Sequence, residues 1–203
     1  MTSISIIGSG NMARTIGTLA AQHGHAVEIM SRDVAKAQAL VDRIGDGATV
    51  GTYGARPTGD IVIVAVLYQN AVDVVAHYGD ALAGKTLVDI TNPFNDDGTG
   101  IVTSVGNSVS QQIAAAAPAG THVVKALNTI FADVLAQGAV DVFFAGDGPE
   151  ARAQVADFLQ SLGLRPIDVG GLEMTYVVEW AAILLMGLAR NAGFDVALSA
   201  EVR

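Results

Sequence analysis

Six residues near the start of the chain, Gly8-Ser9-Gly10-Asn11-Met12-Ala13, carry the spacing G-x-G-x-x-G/A. That spacing lets a backbone wrap around a pyrophosphate when it follows a strand and opens a helix. Gly8 permits the tight turn, Gly10 keeps a side chain away from the phosphates, and Ala13 lets the helix sit close to its sheet. The free N–H groups and partial positive charge at the helix start then favour an anion. The turn reads as a dinucleotide cradle. About 20 residues further on, NAD-binding versions place a carboxylate that accepts hydrogen bonds from the adenine ribose. Here that place holds Ser31 and Arg32, with Lys36 one helical turn beyond. A hydroxyl, a guanidinium and an ammonium suit a 2′-phosphate, so NADP(H) is the expected dinucleotide. Asp33 is the opposing signal, because a carboxylate so close could turn inward.

Three segments are expected at the carboxyl ends of strands, where doubly wound sheets bind their ligands. They are Val66-Leu67-Tyr68-Gln69, Thr91-Asn92-Pro93-Phe94 and Asn128-Thr129-Ile130-Phe131-Ala132, which would border the nicotinamide end. Asn92 and Asn128 either touch ligand or close turns. Phe94, Phe131 and Trp180 either wall a flat ring or belong to the core. No acid or base stands out. His23 and His25 flank a turn without nearby carboxylates, so no metal site is expected. Lysine occurs only as Lys36, Lys85 and Lys125, the last inside a strand and read as structural. No nucleophile elbow, Walker loop or H-E-x-x-H is present. No catalytic side chain is assigned, since hydride moving between two bound rings needs alignment more than proton transfer.

The elements that must position these residues alternate. β-branched runs at 4–7, 26–30, 49–52, 61–66, 86–90, 122–127, 140–145 and 166–169 predict up to eight strands. Helices are predicted over 13–23, 34–44, 70–78, 108–117 and 150–162. For the last of these, Pro149 suits the first helical position, Asp147 the cap and Gly163 the residue past the end. Runs such as Ile61 to Val66, apolar on both faces, are covered on both sides. The expectation is an α/β, Rossmann-type doubly wound, mostly parallel sheet. Residues 1–170 form this domain and 171–203 a helical extension. The segment 173–191, apolar almost all round, is expected to be buried in its own subunit and against a second copy, giving a homodimer.

Bulk properties exclude several classes. A chain of 203 residues with 51% hydrophobic content buries one sizeable core. Its 11 basic and 20 acidic residues give a net charge of -9, which disfavours nucleic acid and anionic membrane surfaces. Without cysteine there is no disulfide, thiolate metal site or dithiol chemistry, so redox chemistry must come from a cofactor. The N-terminus lacks the pattern of a secretory signal, and the longest apolar run, Trp180 to Ala189, is far shorter than the ~20 residues of a bilayer span. A cytoplasmic protein with no membrane anchor is expected.

The ordered blocks Gly8 to Ala13, Ser31-Arg32 with Lys36, Val88-Asp89-Ile90-Thr91-Asn92-Pro93, Val123 to Ile130, Ala145-Gly146-Asp147 and Pro166 to Gly170 resemble the coenzyme F420-dependent NADP oxidoreductase family. The same blocks occur in the oxidoreductase domains of STEAP metalloreductases. The resemblance implies a homodimer or higher assembly in which hydride passes directly between nicotinamide C4 and C5 of a deazaflavin (F420) or flavin. It implies that Ser9, Asn11, Met12, Ser31, Arg32 and Lys36 hold the NADP phosphates, that Leu67 and Tyr68 lie beside the nicotinamide, and that Asn128, Ile130 and Ala132 border the second ring. Archaeal members carry His and Pro where this chain has Asn128 and Phe131, which puts the room for a deazaflavin in question. Two other functions compete. The start of the chain is also similar to pyrroline-5-carboxylate reductases, whose helical C-terminal domain is much longer, and a non-catalytic NADPH-binding or redox-sensing module is compatible with so few polar groups near the nicotinamide.

Overall fold

The computed structural model describes residues 2–201. Eight strands form one sheet in the order β3-β2-β1-β4-β5-β6-β7-β8. They are β1 (Ser3–Ile7), β2 (Ala26–Met30), β3 (Ala48–Gly51), β4 (Ile61–Val64), β5 (Thr86–Asp89), β6 (His122–Lys125), β7 (Asp141–Gly146) and β8 (Arg165–Gly170). Every pairing is parallel except β6 with β7. All eight predicted strands are present. Seven α-helices connect and flank them: α1 (Asn11–Gln22), α2 (Val34–Ile44), α3 (Tyr68–Tyr78), α4 (Val109–Ala116), α5 (Ala132–Gln137), α6 (Pro149–Ser161) and α7 (Thr175–Ala192).

The two-sided apolar strands behave as their patterning requires. Ile4, Ile6, Ile61 and Ile63 join the core under α1 and α6, whereas Ile7, Val62 and Val64 join the core under α3 and α4. Side chains alternate across a strand, so both faces need a helical cover. Chain order reverses between β1 and β4, which opens a crevice at their carboxyl ends.

Three local expectations are corrected. Helix α5, six residues with no side-chain cap, is absent from the predicted helices because it is too short to show a period. Helix α6 begins with Pro149 as expected, but its cap is Gly148 at φ +65°, not Asp147. Asp147 instead lies 3.5 Å from the His122 ring. Finally, the stretch Leu172–Ala192 is long and apolar enough to reach across a bilayer, although its longest charge-free run is short. Its inner face packs on the sheet, with Val178, Glu179, Ala182, Leu185 and Ala189 buried. Its outer face exposes Val177, Trp180, Leu184 and Leu188.

Candidate functional site

The turn from β1 into α1 is built for close approach of a phosphate. Gly8 sits at φ +135°, and a Cβ there would lie 2.1 Å from the Ala65 carbonyl oxygen, so no other residue fits. Its N–H donates to the Met30 carbonyl at 2.9 Å, tying the turn to β2. A Cβ on Gly10 would meet nothing within 4 Å. Gly10 caps α1 without a side-chain hydrogen bond, and no acidic residue stands in the first turn. The helix therefore presents uncompensated N–H groups to open space, which is what a pyrophosphate needs.

That space is one end of a cavity of about 770 Å³. It collects Gly8, Ser9, Gly10, Asn11, Met12, Ala13, Ser31, Arg32, Lys36, Val66, Leu67, Tyr68 and Asn92, all expected from the sequence. At the adenine end, the Ser9 and Ser31 hydroxyls lie 3.3 Å apart. Asp33 also lines the cavity, yet its carboxylate caps α2 by accepting the Lys36 N–H at 3.1 Å. The Lys36 backbone N–H, with its ammonium 3.5 Å away, holds the Asp33 carboxyl below its ordinary range. Bound this way, Asp33 does not replace the ribose-binding carboxylate of NAD enzymes. The residues present fit NADP(H): a bare helix start for the pyrophosphate, and two hydroxyls with two cations for a 2′-phosphate.

At the other end, Leu67 is 72% exposed on the cavity wall. An apolar side chain left this open suits a flat ring. Phe94 lines the same end, and Tyr53 lines the cavity beside a His77 ring stacked at 5.2 Å. Tyr53 escaped the sequence reading because it follows a weak edge strand and belongs to no motif.

Pro93, Asn128, Ile130 and Ala132 do not line this cavity. Pro93, Asn128 and Ile130 are buried behind it. Strand β6 leaves the sheet through Leu127, a non-glycine residue at φ +61°, a sparsely populated conformation that tertiary packing must enforce. The turn carries Asn128 across to Asn92. Asn128 Nδ2 donates to Asn92 Oδ1 at 3.0 Å and to the Val178 carbonyl at 3.0 Å, while Asn92 Nδ2 donates to the Asn128 carbonyl at 2.7 Å. Phe131 packs edge-on against Phe194, centroids 5.2 Å apart, outside the dinucleotide cavity.

Beneath these asparagines lies a sealed ionic cluster. Lys125 Nζ stands 2.7 Å from Asp89 Oδ2 and 3.2 Å from Glu179 Oε1, all three side chains at 0% exposure. The ammonium also donates to the Thr91 carbonyl at 2.7 Å. Asp89 accepts from Ser110 Oγ and the Thr91 N–H, and Glu179 from Thr103 Oγ1 and the Val109 N–H. Lys125 is structural, as expected. Through Thr91 the cluster fixes a segment of the cavity wall.

Comparison with known proteins agrees with this geometry. Residues 3–93 match the family described as NADP oxidoreductase coenzyme F420-dependent. The chain is 29% identical over 187 residues to Metalloreductase STEAP3 of Rattus norvegicus, covering 90% of this chain but only 37% of that protein. It is 27% identical to the F420-dependent NADP reductase of Methanothermobacter thermautotrophicus, covering 95% of this chain and 94% of that one. A crystal structure of a candidate F420-dependent NADP reductase from Arthrobacter sp. FB24 superposes with a TM-score of 0.82 at 26% identity, covering 98% of this chain and 100% of that one. The chain is thus similar over residues 3–93 to the coenzyme F420-dependent NADP oxidoreductase family, and the likeness to the Methanothermobacter and Arthrobacter proteins extends over nearly its whole length.

Proposed function

We propose that this NADP-dependent oxidoreductase passes hydride between NADP(H) and a deazaflavin or flavin ring. The observation that carries the reading is one continuous cavity with cations at one end and apolar walls at the other. NADPH, when bound, supplies the hydride at nicotinamide C4. The N–H groups that open α1 hold the pyrophosphate, and Ser31, Arg32 and Lys36 take the 2′-phosphate. Val66, Leu67, Tyr68 and Phe94 orient the two rings and exclude water, which suits a transfer that needs proximity more than a proton. Among the described residues, the titratable side chains lining that half of the cavity are the phenols of Tyr53 and Tyr68.

The test mixes purified protein with NADPH and either F420 or a free flavin and follows nicotinamide absorbance. Turnover that survives Tyr68→Phe supports the reading. Turnover only with a small imine, lost in that variant, would replace it with pyrroline-5-carboxylate-reductase-like chemistry. Binding without turnover of any acceptor would leave a sensor. The homodimer belongs to the same proposal and is supported by the outer stripe of α7. Leu184 is 59% exposed on that stripe, so Leu184→Glu should yield monomers in sedimentation without lowering the melting temperature.

A further inference from the structure

A second cavity, of about 360 Å³, opens from the first behind the phosphate turn. The two share Ser9, Gly10, Asn11 and Lys36. One wall is the first turn of α1, where Asn11 and Arg14 stand three residues apart. The other is a single face of α2, on which Lys36, Ala39, Leu40 and Arg43 recur at helical spacing. The small Ala39 side chain leaves the space between the cations open.

The charge here runs against the rest of the molecule. The chain has 11 basic residues against 20 acidic, and among the described residues the cations elsewhere are spoken for. Lys85 meets Asp60, Lys125 meets Asp89 and Glu179, Arg152 meets Asp168, and Arg165 meets Asp141. Arg56 and Arg190 donate to backbone carbonyls. Around this groove the pattern fails. Among the described residues, Arg14 bonds only the Asn11 carboxamide, at 2.6 Å, and neither Arg32 nor Arg43 reaches a carboxylate. Lys36 has a single exposed partner, Asp33. Grouping four cations around a single acid costs repulsion that an anion between them removes.

We infer that the groove between α1 and α2 is part of the 2′-phosphate site, with Arg14 and Arg43 as specificity-determining cations beside Arg32 and Lys36. The ligand chemistry is a phosphomonoester dianion, which is doubly charged at neutral pH and gains more from several cations than from one. The inference rests on the NADP(H) reading above.

The test compares dissociation constants of NADPH, NADH, 2′-AMP and 5′-AMP for the wild type, Arg32→Ala and the double variant Arg14→Ala/Arg43→Ala. The double variant should weaken NADPH and 2′-AMP at least tenfold and leave NADH and 5′-AMP within twofold. Arg14→Lys/Arg43→Lys should restore most of the loss. Both arginines are exposed, so an unchanged melting temperature is expected and separates binding from folding. Unchanged NADPH affinity in the double variant, or equal loss of NADPH and NADH, overturns the inference. A wild type that binds NADH as tightly as NADPH overturns the underlying reading instead. A preference abolished by Arg32→Ala but intact in the double variant overturns only the role of the groove.

Discussion

The two ends of the crevice solve opposite electrostatic problems. At the phosphate end, exposed cations gather around open space with few protein partners, and one helix start is uncapped. At the far end, Asp89, Lys125 and Glu179 are wholly buried, and most of their hydrogen-bonding capacity is met inside the fold. The first arrangement is incomplete without an anion, whereas the second completes itself and shapes the wall above it. Charge density at the open end speaks of ligand binding. Charge at the closed end speaks of position.

Removing the closed end's cation should have the largest effect. Lys125→Met leaves two carboxylates facing each other without solvent, and breaking a buried pair in this way costs about 3–5 kcal/mol. Urea denaturation should show that loss. The triple variant Lys125→Met/Asp89→Asn/Glu179→Gln should recover much of it, because no uncompensated charge then remains. If Lys125→Met unfolds with the wild-type midpoint, the cluster does not hold the fold.

The glycine turn gives a sharper contrast, since Gly8 and Gly10 stand two residues apart with opposite surroundings. Gly10→Ala projects a methyl group into the cavity and touches no protein atom. It should keep its melting temperature while NADPH affinity falls at least tenfold, about 1.4 kcal/mol. Gly8→Ala drives the same methyl group into the Ala65 carbonyl and should lose stability as well as binding. Calorimetry of folding and titration of NADPH on both variants decide the matter. A destabilised Gly10→Ala would mean that the space beside it belongs to the fold and not to a ligand.

This contrast also explains what could be read from the chain alone. The phosphate turn was legible because six consecutive residues do its work, and the central strands because each carries its own apolar run, whereas the edge strands β3 and β8 left only weak ones. Asn92 and Asn128 were flagged as ligand contacts or turn closers, but not as partners of each other, because their pairing joins residues 36 apart in sequence. Glu179 drew no attention, because its partners Val109 and Thr103 lie 70 and 76 residues away and no period links them. Arg14 and Arg43 look like ordinary helix surface until α1 and α2 lie side by side. Residues whose role depends on long-range packing leave no local pattern.

A change of salt should separate the two ends again, with a smaller effect. Raising ionic strength from about 0.1 M to 1 M shortens the screening length from about 10 Å to 3 Å. The preference for NADPH over NADH, carried by exposed Arg32 and Lys36, should narrow several-fold in fluorescence titrations. The stability difference between wild type and Lys125→Met should hold, because buried pairs are screened far less. Equal salt sensitivity of both quantities would mean that the cluster is reached by solvent.

The smallest expected effect lies where the two regimes meet, at Tyr78. This buried side chain sits edge-on to the cavity-lining Tyr53, centroids 5.3 Å apart, and its hydroxyl lies 3.9 Å from Met30 Sδ. Burial pushes its phenol up to about 12 from an ordinary 10.0, opposed in part by the Gly54 backbone N–H. A raised value means that the folded protein holds the proton more tightly than the unfolded chain does. The stability this contributes is therefore whole below pH 10 and is lost as pH rises toward about 12. Between those limits wild type should lose more stability than Tyr78→Phe, which has no phenol to ionise, whereas at neutral pH the two should differ little. Parallel urea midpoints for the two proteins across that alkaline window would show that the Tyr78 hydroxyl already meets water at the cavity floor, and the boundary between the open and closed regions would then move inward past it.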